Sequence, residues 1–404
     1  MLHNPTGRER MGMAFLLSMF AILGPLNIDM YLPSFPDIAN DFRANETLVQ
    51  LSLTAALLGL AVGQLFVGPI SDAKGRRGPL LFFTSIFAIA SLLCAFAPNI
   101  TTLIAARFLQ GFTASAGIVL SRAVVRDVFS GRELTKFFAL LMVINAFAPM
   151  VAPMAGGAIL LIPSAEWPAI FITLAVLGVL MVVTATVKLP ETLPVERRSP
   201  SSVKHTLRTM GSLFRDQSFI GYALIVGFVH GGSFAYVSGT PFVYQDIYGV
   251  SPQLFSILFG INGLAIVTGS FLIGRLSDRI HERVLLRTAI IIASIATCLL
   301  LVMATIQAPL TSLVILIFIY MICMGMVLTS SFTLAMAQQS HRAGSASAVL
   351  GMLPLAIGAI VSLLAGINEE SAVPMALILF TSASIGVMIY FKLVRGKVNH
   401  QAAA

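Results

Sequence analysis

The sequence predicts an all-α polytopic membrane protein, with twelve transmembrane helices arranged as two pseudo-symmetric bundles of six. Three observations predict this class. Hydrophobic residues make up 57% of the 404-residue chain and charged residues only 10%, whereas soluble domains carry about 25% charge. The charges are clustered between apolar runs of roughly 20 residues, the length of a helix that spans a hydrocarbon core. The connections after the second and the eighth run also share a sequence pattern, which indicates a repeated unit.

Each apolar run is predicted to be a helix, because only helices and closed barrels satisfy their backbone groups inside lipid. The runs are continuously apolar rather than alternating, which excludes a barrel. The N-terminal tail, Met1–Gly12, shows no cleavable leader, so the first run is expected to be a span. The predicted spans are Met13–Leu32, Leu48–Ile70, Leu80–Ala97, Thr101–Leu120, Phe137–Leu161, Trp167–Val187, Phe219–Thr240, Leu254–Leu276, Val284–Ile306, Leu310–Ala337, Ala343–Ile367 and Val373–Val394.

The basic residues give the orientation of these spans. All but two of the 25 Lys and Arg residues lie in the two tails, in the connections on the same side as the N-terminus, or at the ends of the spans that adjoin them. The exceptions are Arg43, in the first connection on the other side, and Arg107, inside the fourth span. Because cytoplasmic loops carry the excess of Lys and Arg, both termini are predicted to be cytoplasmic. With its bases confined to short loops, the net charge of +8 does not indicate a nucleic-acid partner.

The longest connection divides the chain into an N-terminal bundle, residues 1–190, a cytoplasmic linker, residues 191–217, and a C-terminal bundle, residues 218–404. Apolar residues alternate with basic ones at helical spacing within and beside the linker, which predicts an amphipathic helix on the inner membrane surface. A plain solvated linker is the alternative. The apolar residues are Val203, Leu207, Met210 and Phe214.

Two connections carry the repeat. Gly68–Gly78 reads GPISDAKGRRG and Gly274–Arg283 reads GRLSDRIHER, so each has Gly, then Ser-Asp, then bases at the same point of a six-span unit. Repeats of this kind underlie many secondary transporters, whose binding sites lie at the repeat interface near the membrane midplane.

The first of these connections resembles the loop signature of the major facilitator superfamily, and the resemblance extends over essentially the whole chain. The second copy keeps Gly274 and Asp278 but lacks the later Gly. In the family, the signature is implied to hold the two halves together on the cytoplasmic side when the cavity opens outward; a determinant of topology alone is the alternative. The matching residues are Gly68, Asp72, Gly75, Arg76 and Arg77.

Further motifs resemble twelve-span drug:proton antiporters of this superfamily. Arg107 with Gln110 and Gly111 is similar to an arginine motif of the fourth span. The fifth span resembles the antiporter motif, although Ala148 and Ala152 stand where Gly is typical; such small residues still permit close helix contacts. The matching residues there are Pro149, Pro153, Gly156 and Gly157.

The branch is indicated by two runs. Asp29-Met-Tyr31-Leu-Pro33 in the first span and Gly344–Gly351 in the eleventh resemble the bicyclomycin-resistance and chloramphenicol-export transporters. The resemblance implies a multi-pass protein of the bacterial cytoplasmic membrane. It implies export of small amphipathic drugs in exchange for protons by alternating access, in contact with membrane lipid, without cofactor or metal, and as a monomer.

Two ionisable residues inside the spans are the candidates for proton coupling. Asp29 is the only acidic residue within a predicted span, and Arg107 lies at a comparable depth. Each costs about 2.5–3.5 kcal/mol at the centre of a span on the insertion scale, so an intramembrane charge indicates function by default. Asp29 is predicted to take and release the proton, and Arg107 to change its proton affinity by moving relative to it. A structural ion pair between them is the alternative.

Other polar side chains within spans are candidates for the substrate cavity. A hydrogen bond between helices is the alternative for each of them, and the imidazole among them is also a candidate second proton carrier. The cavity candidates are Asn27, Tyr31, Gln110, Asn145, His230, Tyr236 and Asn262.

The sequence disfavours other functional classes. It contains no His-Glu-x-x-His, paired-Cys or Gly-x-Ser-x-Gly motif of an enzyme and no Walker loop of an ATP-driven pump. A channel would need a ring of polar residues repeated across the spans, and the sequence shows no such repeat. A metabolite or sugar carrier of the same fold is the alternative function, although the only tryptophan, Trp167, lies at a membrane edge rather than in a sugar site.

Overall fold

The computed structural model describes residues 7–129, 131–198, 210–337, 339, 343–365 and 371–394. Within those residues, 11 helices are long and apolar enough to cross a membrane, and the apolar part of one further helix, Phe147–Ile159, is shorter. The predicted all-helical membrane fold is therefore confirmed. The chain forms two compact units, Met1–Ala44 with Ala55–Thr206, and Asn45–Thr54 with Leu207–Ala404.

The first unit is built from helices that follow one another with short connections. Within it, α5 packs against α6 and α8, and α2 packs against α6 and α7. The helices are α1 (Gly7–Ala21), α2 (Leu23–Asp29), α3 (Phe35–Phe42), α4 (Glu46–Lys74, whose first turns belong to the second unit), α5 (Arg77–Ala95), α6 (Ile100–Val128), α7 (Gly131–Ile159) and α8 (Pro168–Lys188).

The first predicted span, Met13–Leu32, is not one continuous helix. The α-helical segment α2 ends at Asp29, and a 3-10 turn, Leu32–Ser34, follows before α3. Ser34 holds this turn by donating from Oγ to the carbonyl oxygen of Tyr31 at 2.7 Å. Pro33 adds to the break because proline has no amide hydrogen to continue the helix. The apolar segment goes on through α3 to Phe42, so the predicted end at Leu32 was too early.

Two helices extend beyond their predicted ends. α4 continues past Ile70 to Lys74, and α6 continues past Leu120 to Val128. The signature residues Gly68 and Asp72 therefore lie on the last turns of α4 instead of in a loop. Only Gly75 and Arg76 separate α4 from α5, and Gly75 has a φ of +91°, a conformation that glycine adopts without strain.

The second unit repeats this helical pattern. The α-helices α9 and α14 each continue into a π-helical turn, Val243–Ile247 and Tyr390–Val394. The helices are α9 (Gln217–Phe242), α10 (Pro252–Leu276), α11 (Glu282–Thr305), α12 (Leu310–Met336), α13 (Ala343–Leu364) and α14 (Val373–Ile389).

Glycines form corresponding close crossings in the two units. A Cβ atom at Gly59 would collide with the carbonyl oxygen of Phe108, so α4 and α6 meet backbone to backbone. In the second unit, a Cβ atom at Gly269 would collide with the carbonyl oxygen of Ile322, between α10 and α12. Small residues at helix crossings allow this approach, and its recurrence supports the repeat that the sequence indicates.

The connection between the units begins by folding onto the first one. Thr192 and Leu193 are buried, and Val195–Arg197 forms a 3-10 turn. Two of the four apolar residues of the predicted amphipathic helix, Val203 and Leu207, lie outside the described residues. Of the other two, Met210 is buried and Phe214 is exposed.

Candidate functional site

Arg107 is the centre of a buried polar cluster in the first unit. Its side chain on α6 is 0% exposed. Nη1 donates to Asn27 Oδ1 at 2.7 Å and to Gln110 Oε1 at 2.5 Å, and Nη2 donates to the backbone carbonyl oxygen of Asn27 at 2.8 Å. Gln110 is oriented in turn, because its Nε2 donates to Ser91 Oγ at 2.7 Å. The cluster fixes both the position and the direction of the guanidinium.

Aromatic rings cover the same guanidinium. Its central carbon lies 4.1 Å from the ring centroid of Tyr31 and 5.6 Å from that of Phe171. A cation over an aromatic face contributes about 2 kcal/mol when the pair is desolvated. Tyr31 and Gln110, both predicted to line a substrate cavity, are thus placed against Arg107 in this structure.

Asp29 lies next to this cluster but does not join it. The residue is 6% exposed and ends α2, two residues after Asn27. Within the described part of the chain, its carboxylate forms no hydrogen bond and no ion pair, so the ion pair with Arg107 is not present. Residues two apart on a helix do not share a face. When Asn27 is turned toward Arg107, Asp29 is therefore turned away from it.

The cluster also leaves two buried donors without acceptors. Asn27 Nδ2 and Arg107 Nε have no hydrogen-bond partner. Burying an unpaired polar group costs about 1–3 kcal/mol, and no carboxylate of the described residues pairs with the guanidinium. The buried guanidinium of Arg107, which no described carboxylate pairs with, therefore lies close to a buried carboxyl group, that of Asp29, which also has no partner among the described residues.

The antiporter-type motif lies on α7 and contacts the break that follows Asp29. Pro149 and Pro153 are inside the helix, and Gly156 and Gly157 are buried. The side chain of Asn145, also on α7, lies outside the described part of the structure.

The signature residues form a second polar cluster where α4 meets α5. Arg76 is 5% exposed and donates from Nη1 to Asp72 Oδ1 at 2.5 Å and to Ser71 Oγ at 2.8 Å. Its Nε donates to Asp127 Oδ2, on α6, at 2.7 Å. Burial is the largest single effect on the pKa of Arg76 and lowers it, but the hydrogen bonds and charges of Asp127 and Asp72 outweigh burial and raise that pKa above its usual value.

Glu191 completes this cluster from the segment after α8. Its carboxylate accepts hydrogen bonds from the backbone amides of Arg76 at 2.7 Å, Arg77 at 3.2 Å and Leu193 at 3.0 Å. Arg77 itself donates from Nη2 to the carbonyl oxygen of Thr186 at 2.6 Å, near the end of α8. Asp127 and Glu191 were not predicted from the sequence, because neither of them lies within the signature.

The second copy of the signature builds no comparable cluster. Gly274 and Asp278 are exposed, and a Cβ atom at Gly274 would meet nothing within 4 Å. Among the residues that the structure describes, Asp278 forms no ion pair.

Polar candidates in the second unit fall into two places. Asn262 Nδ2 donates to the hydroxyl of Tyr236 at 2.8 Å, and the Tyr236 ring stacks on Phe259 with centroids 5.1 Å apart. Asn262 Oδ1 is left without a partner. His230, on α9, stacks on Phe234 at 5.7 Å, and its Nδ1 has no partner.

Comparison with known proteins identifies the family. The family model "Major Facilitator Superfamily" matches residues 17–363. An uncharacterized MFS-type transporter, YdgK, of Bacillus subtilis is 67% identical over 402 residues, covering 100% of both chains. A bicyclomycin resistance protein homolog of Haemophilus influenzae is 31% identical over 376 residues, covering 93% of this chain and 94% of that protein.

A solved structure gives the same assignment at the level of the fold. A bacterial homolog of the human lysosomal transporter Spinster superimposes with a TM-score of 0.78 over 97% of this chain and 98% of its own, at 16% sequence identity. The helical membrane fold, the family match over most of the chain and the transporter relatives agree that the protein is a transporter and not an enzyme, and it belongs to the Major Facilitator Superfamily.

Proposed function

We propose that this transporter exports small amphipathic drugs in exchange for protons by alternating access, with Asp29 as the proton-binding group. The observation that carries the proposal is the arrangement at the end of α2. Asp29 is a buried carboxyl group without a partner, and it lies two residues from Asn27, which holds the buried guanidinium of Arg107. The bicyclomycin-resistance name of the relative from Haemophilus influenzae supports drugs as the substrate class.

The coupling follows from an exchange of partners on Arg107. While Asn27 occupies the guanidinium, Asp29 lacks a countercharge and holds a proton, because a neutral carboxyl is the cheaper form in an apolar site. A rotation of α2 that brings Asp29 to Arg107 stabilises the carboxylate and releases the proton. The two arrangements then correspond to the proton-loaded and proton-free states of the transport cycle.

Two buried polar atoms are assigned to drug binding in this proposal. Asn262 Oδ1 and His230 Nδ1 have no hydrogen-bond partner, and Tyr236 helps to hold Asn262 because its hydroxyl accepts a hydrogen bond from Asn262 Nδ2. Tyr31 and Gln110 contribute indirectly in this proposal, by holding Arg107.

The protein is further proposed to lie in the bacterial cytoplasmic membrane with both termini in the cytoplasm and to act as a monomer. The distribution of Lys and Arg supports this orientation, because the positive-inside rule places the base-rich connections in the cytoplasm. The signature cluster around Arg76 then lies on the cytoplasmic side.

Drug accumulation in a sensitised bacterium tests the proposal. The cells express the wild-type protein, Asp29→Asn, or Asp37→Asn as a matched control, since Asp37 is an exposed carboxyl on the neighbouring α3. A bicyclomycin-like and a chloramphenicol-like compound are measured with and without a protonophore. Wild type and Asp37→Asn are expected to lower accumulation, and both Asp29→Asn and the protonophore are expected to remove this effect.

Two outcomes would contradict the proposal. Export by Asp29→Asn equal to that of wild type would place the proton site elsewhere, with His230 the next group to test. If no compound in a broad panel is affected by the wild-type protein, drug export is wrong and the metabolite or sugar carrier of the same fold takes its place.

A further inference from the structure

The backbone immediately after Asp29 is held by another helix. α2 ends at Asp29, and the Met30 amide makes the last helical hydrogen bond, to the carbonyl oxygen of Leu26 at 3.1 Å. The chain then turns into the 3-10 segment Leu32–Ser34. Because the Asp29 carboxylate has no partner among the described residues, no side chain fixes its direction. Its direction therefore depends on how the backbone at Met30 is held.

α7 holds that backbone through one glycine. A Cβ atom at Gly156 would collide with the carbonyl oxygen of Met30, and it would lie 3.0 Å from the carbonyl carbon and 3.6 Å from the Cα atom of Met30. These are the three nearest atoms, and all belong to Met30. α7 packs against both α2 and the 3-10 turn, so Gly156 sits where the break in the first span meets the antiporter-type motif.

This contact differs from two other close glycine contacts, those of Gly59 and Gly325. Gly59 and Gly325 approach the carbonyl oxygens of Phe108 and Ile266, which lie inside regular helices. Hydrogen bonds of the helix fix such carbonyls, so a methyl group there pushes whole helices apart. Met30 lies outside α2. A methyl group at residue 156 therefore displaces the break itself, together with the neighbouring Asp29.

We infer that Gly156 is a positioning residue for proton coupling: by lacking a side chain, it lets α7 lie against the Met30 carbonyl and so sets the depth and direction of the Asp29 carboxyl group. The inference rests on the proposed function of Asp29 as the proton site. It assigns a specific task to one residue of the antiporter-type motif, in addition to helix packing.

The test compares Gly156→Ala with wild type by the reaction of Asp29 with a hydrophobic carbodiimide. The extent of labelling of the Asp29 peptide is measured by mass spectrometry over a range of pH on purified protein, without drug and without a gradient, and Asp29→Asn gives the background. Gly325→Ala is the matched control, because its Cβ atom would also collide with a backbone carbonyl, but in the second unit. The pH dependence of drug efflux is measured in parallel.

Gly156→Ala is expected to displace the pH of half-maximal labelling by roughly half a unit or more. This displacement is small compared with the spread of carboxyl pKa values at buried sites. The efflux profile is expected to move with it, and Gly325→Ala is expected to leave the labelling curve in place. Ala152→Gly is a second variant, to be used if Gly156→Ala does not fold. Ala152 is buried one turn earlier on the same face of α7. Loss of its methyl group is expected to loosen the packing of this face and so to displace the curve as well.

An unchanged labelling curve in both α7 variants overturns the inference, even when efflux still depends on Asp29. A displaced curve in a protein that exports no drug has the opposite meaning, because it supports the positioning by Gly156 while the proposed drug export fails. Equal displacement by Gly325→Ala also overturns the inference, because the effect would then be a general response to disturbed packing.

Discussion

Arg107 places a positive charge in the first unit where the contacting groups are amides, a carbonyl and aromatic rings. Two of its hydrogen bonds go to a single residue, Asn27, through the side-chain and the backbone oxygen. Hydrogen bonds to charged groups contribute more than neutral ones, about 1.5–3 kcal/mol each. Asn27 therefore decides which face of α2 is turned toward the guanidinium.

Replacing Asn27 is expected to destabilise the protein. In Asn27→Ala, the buried guanidinium loses one acceptor, so the free energy of unfolding should fall by about 1–3 kcal/mol. Thermal unfolding of the purified protein in detergent measures the change. Asn40→Ala, at an exposed position of α3, is the control and should unfold as wild type does. Identical unfolding of both variants would mean that Arg107 does not depend on Asn27.

The sequence identifies the two ionisable groups but not their partners. Asp29 and Arg107 stand out because charges are rare within apolar spans. The sequence shows only the depth of a residue along the membrane. Asn27 and Asp29 are two residues apart, a rise of about 3 Å along a helix, so depth does not show which of them contacts Arg107. The rotation of α2 decides between them, and that rotation depends on how the helix packs against α6 and α7.

The helices themselves were predictable, and their ends were less so. Continuous apolar runs mark the spans, but α4 and α6 continue through Asp72 and Arg126, because polar residues can continue a helix after the apolar run has ended. The segment around Glu191 reads as a polar connection in the sequence. Its contact with the start of α5 joins residues far apart in the chain, which no local pattern shows.

Glu191 is expected to protect the first turn of α5. The first amides of a helix have no partner within it, and Glu191 supplies one for Arg76 and Arg77. Loss of a cap costs about 1 kcal/mol, so Glu191→Ala should accelerate hydrogen exchange of the peptide around these residues about fivefold. Glu196→Ala, at an exposed position of the same segment, should not. Unchanged protection in Glu191→Ala would mean that the cap does not form in solution.

At the scale of the whole molecule, the repeat predicts the architecture but not the differences between the units. Both units contain the glycine crossings, at Gly59 and at Gly269. In the described part of the chain, however, a polar cluster forms at the first copy of the signature and not at the second, where Asp278 is exposed. The sequence indicates this asymmetry, because the second copy of the signature lacks the later Gly.

The orientation of the chain is tested by labelling single cysteines in cells. In a variant without Cys94, Cys298 and Cys323, a Glu196→Cys substitution should react with a membrane-impermeant maleimide only after the cells are permeabilised. Pro98→Cys, in the exposed connection between α5 and α6, should react in intact cells. Both expectations follow from the distribution of Lys and Arg. The reverse pattern would contradict cytoplasmic termini.

The most direct test of proton exchange at Asp29 is drug transport into liposomes that contain only the purified protein. A proton gradient, acidic inside, is imposed, and the accumulation of a bicyclomycin-like or chloramphenicol-like compound is followed together with the internal pH. The wild-type protein should concentrate the drug while protons leave, and Asp29→Asn should do neither, whereas Asp37→Asn should behave as wild type. Gradient-driven accumulation by Asp29→Asn at the wild-type rate would contradict proton exchange at Asp29.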